Sequence, residues 1–281
     1  MPDIFYKKTG DIFNQHSYWT KQPVDAVKYF LKKYSNKKDR VFDPFCGSGM
    51  TGIASTMLGM KCILGDLSPA CLHISEGYNT KFDCSDEDIE KFLTKLKELI
   101  GDIYLTNCKH CGSRAKIKFE VLGEFFKNKS NDLYSDSIDY FLSIKYKKNF
   151  NSKLNGLKKT LEFDKHQVIQ ICYQCKCNKT KLFKDPDSSD QNLNIKLKKI
   201  CKKKPDAIFF GKETKRNIKK KILKVYQLYS TKNLYALNLI KDQIEKIDNK
   251  HLKKFLLFNF TSILFNCSLM SRYRGYENTS I

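Results

Sequence analysis

Two aspartates flank a glycine turn in the first quarter of the chain. Arg40 to Pro69 reads RVFDPFCGSGMTGIASTMLGMKCILGDLSP, with Asp43 and Asp66 each closing a short apolar run. Carboxylates at two strand tips, beside backbone bared by Gly47 and Gly49, make a place for a polar ligand. Gly47, Gly49 and Gly52 satisfy GxGxxG, and Asp66 follows at about the distance where a dinucleotide fold keeps its ribose acid. Asp43 discriminates between ligands. A pyrophosphate on this turn would meet a carboxylate at short range, which is repulsive, whereas an ammonium would be attracted. S-adenosylmethionine carries an ammonium, a sulfonium and a ribose diol. On this reading Asp43 takes the amino group, Gly47 and Gly49 allow close backbone approach, and Asp66 takes the ribose hydroxyls. The alternative is a strand-to-helix turn that binds nothing.

Cysteines offer a second chemistry. Cys108-Lys109-His110-Cys111 and Cys172-Tyr173-Gln174-Cys175 are CxxC pairs, each beside strand-like sequence. One pair alone fits a redox dithiol, whereas two pairs fit the four corners of one structural Zn²⁺ in a zinc ribbon. The expected ligands are Cys108, Cys111, Cys172 and Cys175. Cys177 is a substitute, and His110 and His166 are weaker ones. Eleven cysteines with no apolar leader at Met1–Gly10 place the chain in a reducing, cytoplasmic setting.

These groups need elements to hold them. Arg40-Val41-Phe42 predicts a strand that Pro44 stops. Thr51 to Leu58 predicts a helix stopped by Gly59, and Lys61 to Gly65 a second strand. Upstream, Val24, Val27, Phe30, Leu31 and Tyr34 form a helical stripe over residues 22–34. Downstream, residues 68–78 predict a helix. Ser85 caps another, with an acidic first turn and an apolar face of Ile89, Phe92, Leu93, Leu96 and Ile100. Ala115 to Val121 alternates like a strand, and the second CxxC ends another. Asp185 to Asn192 reads as a loop. Tyr226, Tyr229 and Tyr235 punctuate helices as core residues, and residues 251–270 predict a last, buried helix. No apolar run is long and uncharged enough to span a bilayer.

The net charge of +22 is unevenly placed. Residues 1–100 hold 14 Lys/Arg against 13 Asp/Glu, and residues 101–281 hold 38 against 17. Dense lysine runs lie at 196–204 and 212–224. Such runs usually mark solvated helix faces. A neutral ligand domain joined to a polycation fits a catalytic core fused to a phosphate-contacting region, so nucleic acid is the expected partner.

The string Asp43-Pro44-Phe45-Cys46-Gly47-Ser48-Gly49-Met50-Thr51, followed by Gly65-Asp66-Leu67-Ser68-Pro69, resembles the cofactor motif of DNA amino-methyltransferases. These enzymes methylate the exocyclic amino group of adenine or cytosine. Met50 replaces the more usual Thr. His16-Ser17-Tyr18-Trp19-Thr20-Lys21-Gln22-Pro23 is similar to the family's H-x-Y-x-x-K-x-P segment, which packs beside the methionine end of the cofactor. The resemblance implies S-adenosylmethionine at Asp43, Pro44, Phe45, Gly47, Gly49 and Asp66, with Lys21 as partner of the methionine carboxylate. It also implies DNA as substrate, in a restriction-modification or orphan modification system. Adenine is favoured because adenine enzymes are the commoner members. Zinc ribbons occur in some members, and residues 228–237 are similar to a helix of those members, with Lys232 in place of an Arg.

The same family carries its chemistry on an Asp/Asn/Ser-Pro-Pro-Tyr/Phe loop, which holds a flipped base. The six prolines here stand at 2, 23, 44, 69, 186 and 205, and no two are adjacent. Catalytic residues are therefore not assigned. The expectation is the cofactor-binding part of such an enzyme, split or truncated, with a second polypeptide as a possible source of the loop. Attack at cytosine carbon five needs a Pro-Cys dipeptide, and none occurs. The enzyme alternative is an RNA guanine methyltransferase, which can share DPxCGSG. It more often carries an RNA-binding domain before the motif, where only about forty residues stand. The alternative from another class is a zinc-ribbon nucleic-acid-binding protein without catalysis. The expected fold is α/β, with a Rossmann-like methyltransferase core over 1–100, a basic zinc-ribbon insertion over 101–205 and a helical region over 206–281.

Overall fold

The computed structural model describes residues 10–123, 167–201, 204–208 and 224–268. The described chain divides into two units. One takes the residues up to Lys95 together with those from Leu237 onward, and the other takes Leu96–Ala236.

In the first unit the chain runs α1 (Asp11–Asn14), α2 (Val24–Tyr34), β1 (Arg40–Asp43), α3 (Met50–Met57), β2 (Lys61–Leu64), α4 (Pro69–Asn79) and α5 (Asp86–Ile100), whose last residues pass into the second unit. β1 and β2 are parallel, with Phe42 opposite Ile63 and Asp43 opposite Leu64. The crossover is α3, which buries Met50, Ala54 and Ser55 and is packed by α2 and α4. Pro69 opens α4 at a position where its missing N–H costs nothing. Ser85 caps α5 as expected, its hydroxyl accepting from the Asp88 N–H at 3.1 Å. The helix α8 (Lys250–Leu264) also belongs to this unit, with Leu252 and Leu256 in a cluster with Ile89, Phe92 and Ile244.

The second unit carries β3 (Leu105–Asn107), β4 (Arg114–Gly123), β5 (Gln167–Cys175) and β6 (Asn178–Lys184) in one antiparallel sheet of order β3-β4-β5-β6. Its buried side gathers Ala115, Ile117, Val168, Ile171, Tyr173 and Cys175. The segment read as a loop at 185–192 is instead the start of α6 (Ser188–Ile200). Asp187 accepts from the Asp190 N–H, and Asp190 accepts from the Asp187 N–H, a capping box hidden in an acidic run. Asp190 also accepts from Thr106 Oγ1 at 2.7 Å and pairs with the buried Lys184 at 2.8 Å. Lys184 holds the Asp187 carboxyl well below the usual carboxylate range, against the pull of burial. The helix α7 (Thr231–Glu245) starts in this unit, and its buried Lys232 pairs with Glu120 at 2.5 Å. Residues 124–166, the run at 212–223 and the segment 269–281 lie outside the described residues.

Candidate functional site

The turn after β1 is built by the tips of both strands. The Gly65 N–H donates to the Asp43 carbonyl at 2.8 Å, and the Cys46 N–H donates to the Gly65 carbonyl at 2.9 Å. Pairing therefore continues past the ladder and brings Asp66 against the turn. One Asp66 oxygen accepts from the Gly47 N–H and the other from the Ser68 N–H, both at 2.9 Å. Those two amides, Ser68 first, hold the Asp66 carboxyl below its ordinary range. Asp43 accepts from the Phe45 N–H at 3.1 Å and from the Thr51 hydroxyl at 2.7 Å. A carboxylate has about four lone-pair sites, so both groups keep acceptor capacity for a ligand. Asp43, Gly47 and Asp66 thus come together as the sequence predicted. Pro44 and Phe45 sit exposed beside them.

The glycines also admit close approach by the protein itself. Gly47 has φ +52° and Gly49 φ +78°, both in the left-handed region. A Cβ on Gly47 would stand 3.0 Å from the Tyr18 ring, and one on Gly49 would collide with Ser75 and Asn79 of α4. Asn79 Nδ2 also donates to the Gly49 carbonyl at 2.9 Å. The bare backbone is approached closely by the protein itself, through Tyr18 on one side and α4 on the other. Tyr18 lies in the upstream segment singled out by sequence, whereas Ser75 and Asn79 carried no signal of this role.

Lys21 is buried. Its ammonium donates to the Phe13 carbonyl at 2.7 Å, to the Tyr78 hydroxyl at 2.8 Å and to the His16 carbonyl. It also lies 4.9 Å from the Tyr78 ring centroid. Three donors are all an ammonium has, and all three are engaged. Burial pushes its pKa down to about 8. Its placement makes Lys21 a clasp of the N-terminal segment. His16 joins the same cluster, stacked on Phe258 at 5.3 Å.

The thiols gather at two hairpin tips. The β3–β4 turn closes through the Gly112 N–H to the Cys108 carbonyl and the Cys108 N–H to the Ser113 carbonyl, both at 2.9 Å. The β5–β6 turn is Lys176-Cys177, between the paired residues Cys175 and Asn178. Together they place the Sγ atoms of Cys108, Cys111, Cys175 and Cys177 within 4.8 Å of one another. Cys108–Cys177 is 3.6 Å and Cys111–Cys175 is 3.5 Å. Tetrahedral Zn²⁺ with Zn–S of about 2.3 Å needs sulfurs about 3.8 Å apart, so the donor set fits that ion in both chemistry and spacing. The hydrogen bond with Ser113 helps pull the Cys175 thiol down to about 6. Bonding to Cys175, Cys111 and Cys108 pushes Cys177 up to about 12.

The fourth sulfur corrects the expectation: it is Cys177, not Cys172. Tyr173 and Cys175 lie in the buried cluster with Cys108, two residues apart on one side of β5. Cys172 is out of phase with them and stands between Phe119 and Phe183 on the neighbouring strands. His110 is exposed in the first turn and outside the cluster, and His166 lies outside the described residues.

Comparison with known proteins covers the glycine turn. Residues 3–77 match the N6_N4_Mtase family, described as DNA methylase. The type II methyltransferase M.MjaII of Methanocaldococcus jannaschii is 28% identical over 189 residues, covering 66% of this chain and 31% of the relative. The chain thus spans about a third of the length of that relative. No solved structure matches.

Proposed function

We propose, for a chain whose N-terminal region is a partial DNA methylase domain of the N6/N4 family, that it is the cofactor-binding part of a site-specific DNA amino-methyltransferase. One observation carries this reading: two carboxylates at adjacent parallel strand tips converge on a left-handed glycine turn, within the residues that match the family. Asp43 receives the ammonium of S-adenosylmethionine, and Asp66 receives the ribose hydroxyls. Phe45 and Pro44 form the exposed lip beside them. The thiol cluster of Cys108, Cys111, Cys175 and Cys177 holds a structural Zn²⁺. The protein is cytoplasmic, the target is duplex DNA, and the acceptor is the exocyclic amine of adenine in preference to cytosine.

The Pro-Pro loop that this chemistry needs is absent from these 281 residues, so we place it on polypeptide outside them. The two-stranded sheet supports that assignment. Parallel sheets normally have both faces covered, yet Phe42 and Ile63, paired in register, are 67% and 58% exposed on one face of β1–β2.

The test is binding of labelled S-adenosylmethionine by equilibrium dialysis, with methyl transfer to unmethylated DNA measured in parallel. The wild type binds the cofactor and transfers nothing alone. Asp43→Asn keeps an oxygen acceptor for the Phe45 N–H but removes the charge. It weakens binding roughly ten- to a hundredfold, as expected for losing a charge-assisted hydrogen bond. Absence of binding by the wild type sinks the cofactor reading, and methyl transfer by the chain alone sinks the assignment of the loop.

A further inference from the structure

The sheet β3-β4-β5-β6 has two faces of opposite character. One carries the buried cluster around Ile171 and Tyr173. On the other, Lys116 stands opposite Gln174, and Phe119, Cys172 and Phe183 form a row across three strands. Lys118 is the extra residue at the irregularity between Ile117 and Phe119, and it is exposed. The Phe119 and Phe183 rings meet edge-on, 6.0 Å between centroids, and remain 36% and 41% exposed. Arg114, Lys116 and Lys118 are exposed cations on β4. The acid on β4–β6 is Glu120, which is half-buried and paired with Lys232.

Exposed rings set beside cations complement nucleic acid. Lysines lie along phosphates, and aromatic faces stack on bases. A closed duplex keeps its base faces inside the stack, so these rings can stack only where bases are unpaired. We propose that this face of the cysteine-bearing sheet binds an unpaired stretch of DNA. Phe119 and Phe183 stack on its bases, and Lys116 and Lys118 lie along its backbone. This rests on the DNA reading above and adds where the DNA is held and in what form.

The test is fluorescence anisotropy of the full chain with labelled oligothymidylate and with a labelled duplex of equal length, at several salt concentrations. Phe119→Ala/Phe183→Ala weakens oligothymidylate binding by about tenfold or more and leaves the duplex nearly unchanged, since stacking is a property of free bases. Lys116→Gln/Lys118→Gln weakens both and lowers the salt slope by about 1 to 2. Circular dichroism verifies that each variant is folded. Oligothymidylate binding that neither variant alters overturns the face and leaves the DNA reading standing. A wild type that binds neither probe overturns both. Tighter binding of oligouridylate than of oligothymidylate overturns DNA as the occupant.

Discussion

Cys172 and Cys177 show how far a spacing rule reaches. CxxC assumes that the residues between two thiols make a turn. At Cys108–Cys111 they do, and Gly112 follows with φ +70° to close it. At Cys172–Cys175 they are strand, so the two side chains leave on opposite faces. The thiol that joins Cys175 is then the one in the next hairpin turn, two residues on. Cys177→Ser should therefore leave purified protein largely without zinc, while Cys172→Ser should retain the wild-type content. Metal analysis after gel filtration checks both. Zinc kept by Cys177→Ser and lost by Cys172→Ser would restore the set read from spacing alone.

At the scale of elements, the glycine turn depends on what lies behind it. Ser75 and Asn79 of α4 fill the space that Gly49 and Gly52 leave, so the position of α4 sets the shape of the turn. Behind α4 stands α8. A Cβ on Gly77 would collide with the Phe258 ring, which is 2% exposed and meets Tyr78 edge-on at 5.1 Å. Gly77→Ala should destabilise this unit by about 1–3 kcal/mol through overpacking, against the small gain that Ala brings to a helix. Denaturant unfolding checks the loss, and an unchanged midpoint would show that α8 yields freely. Much of this was legible. Pro44, Gly59 and Pro69 punctuate β1, α3, β2 and α4 at their observed ends, within a residue or two. What was not legible is long-range: nothing in the local pattern says that Asn79 reaches the Gly49 carbonyl or that α8 returns to α4. The α6 start was missed for another reason, since Asp187 and Asp190 read as loop acids until their reciprocal hydrogen bonds are seen.

At the scale of the whole molecule, the glycine turn and the thiol cluster lie in different units. The charge divides in the same sense, with the excess of cations beyond residue 100. Cofactor binding and DNA binding should therefore be separable by damage to one unit. The buried Lys184 is suited to this. It neutralises both Asp187, at 2.5 Å, and Asp190, which is itself 3% exposed. Lys184→Met leaves those carboxylates without their cation, and breaking such a buried pair costs about 3–5 kcal/mol. The native Asp187 carboxyl is depressed, so its contribution is complete above the ordinary carboxylate pKa and fades as pH falls below it. In Lys184→Met that acid-sensitive contribution shrinks to what the Ser189 hydroxyl and the Asp190 N–H supply. The variant should lose DNA binding and zinc at temperatures where the wild type keeps both, while its affinity for S-adenosylmethionine stays within about twofold, because Lys184 and the glycine turn belong to different units. Loss of cofactor affinity in step with loss of DNA binding would show that the two units fold as one.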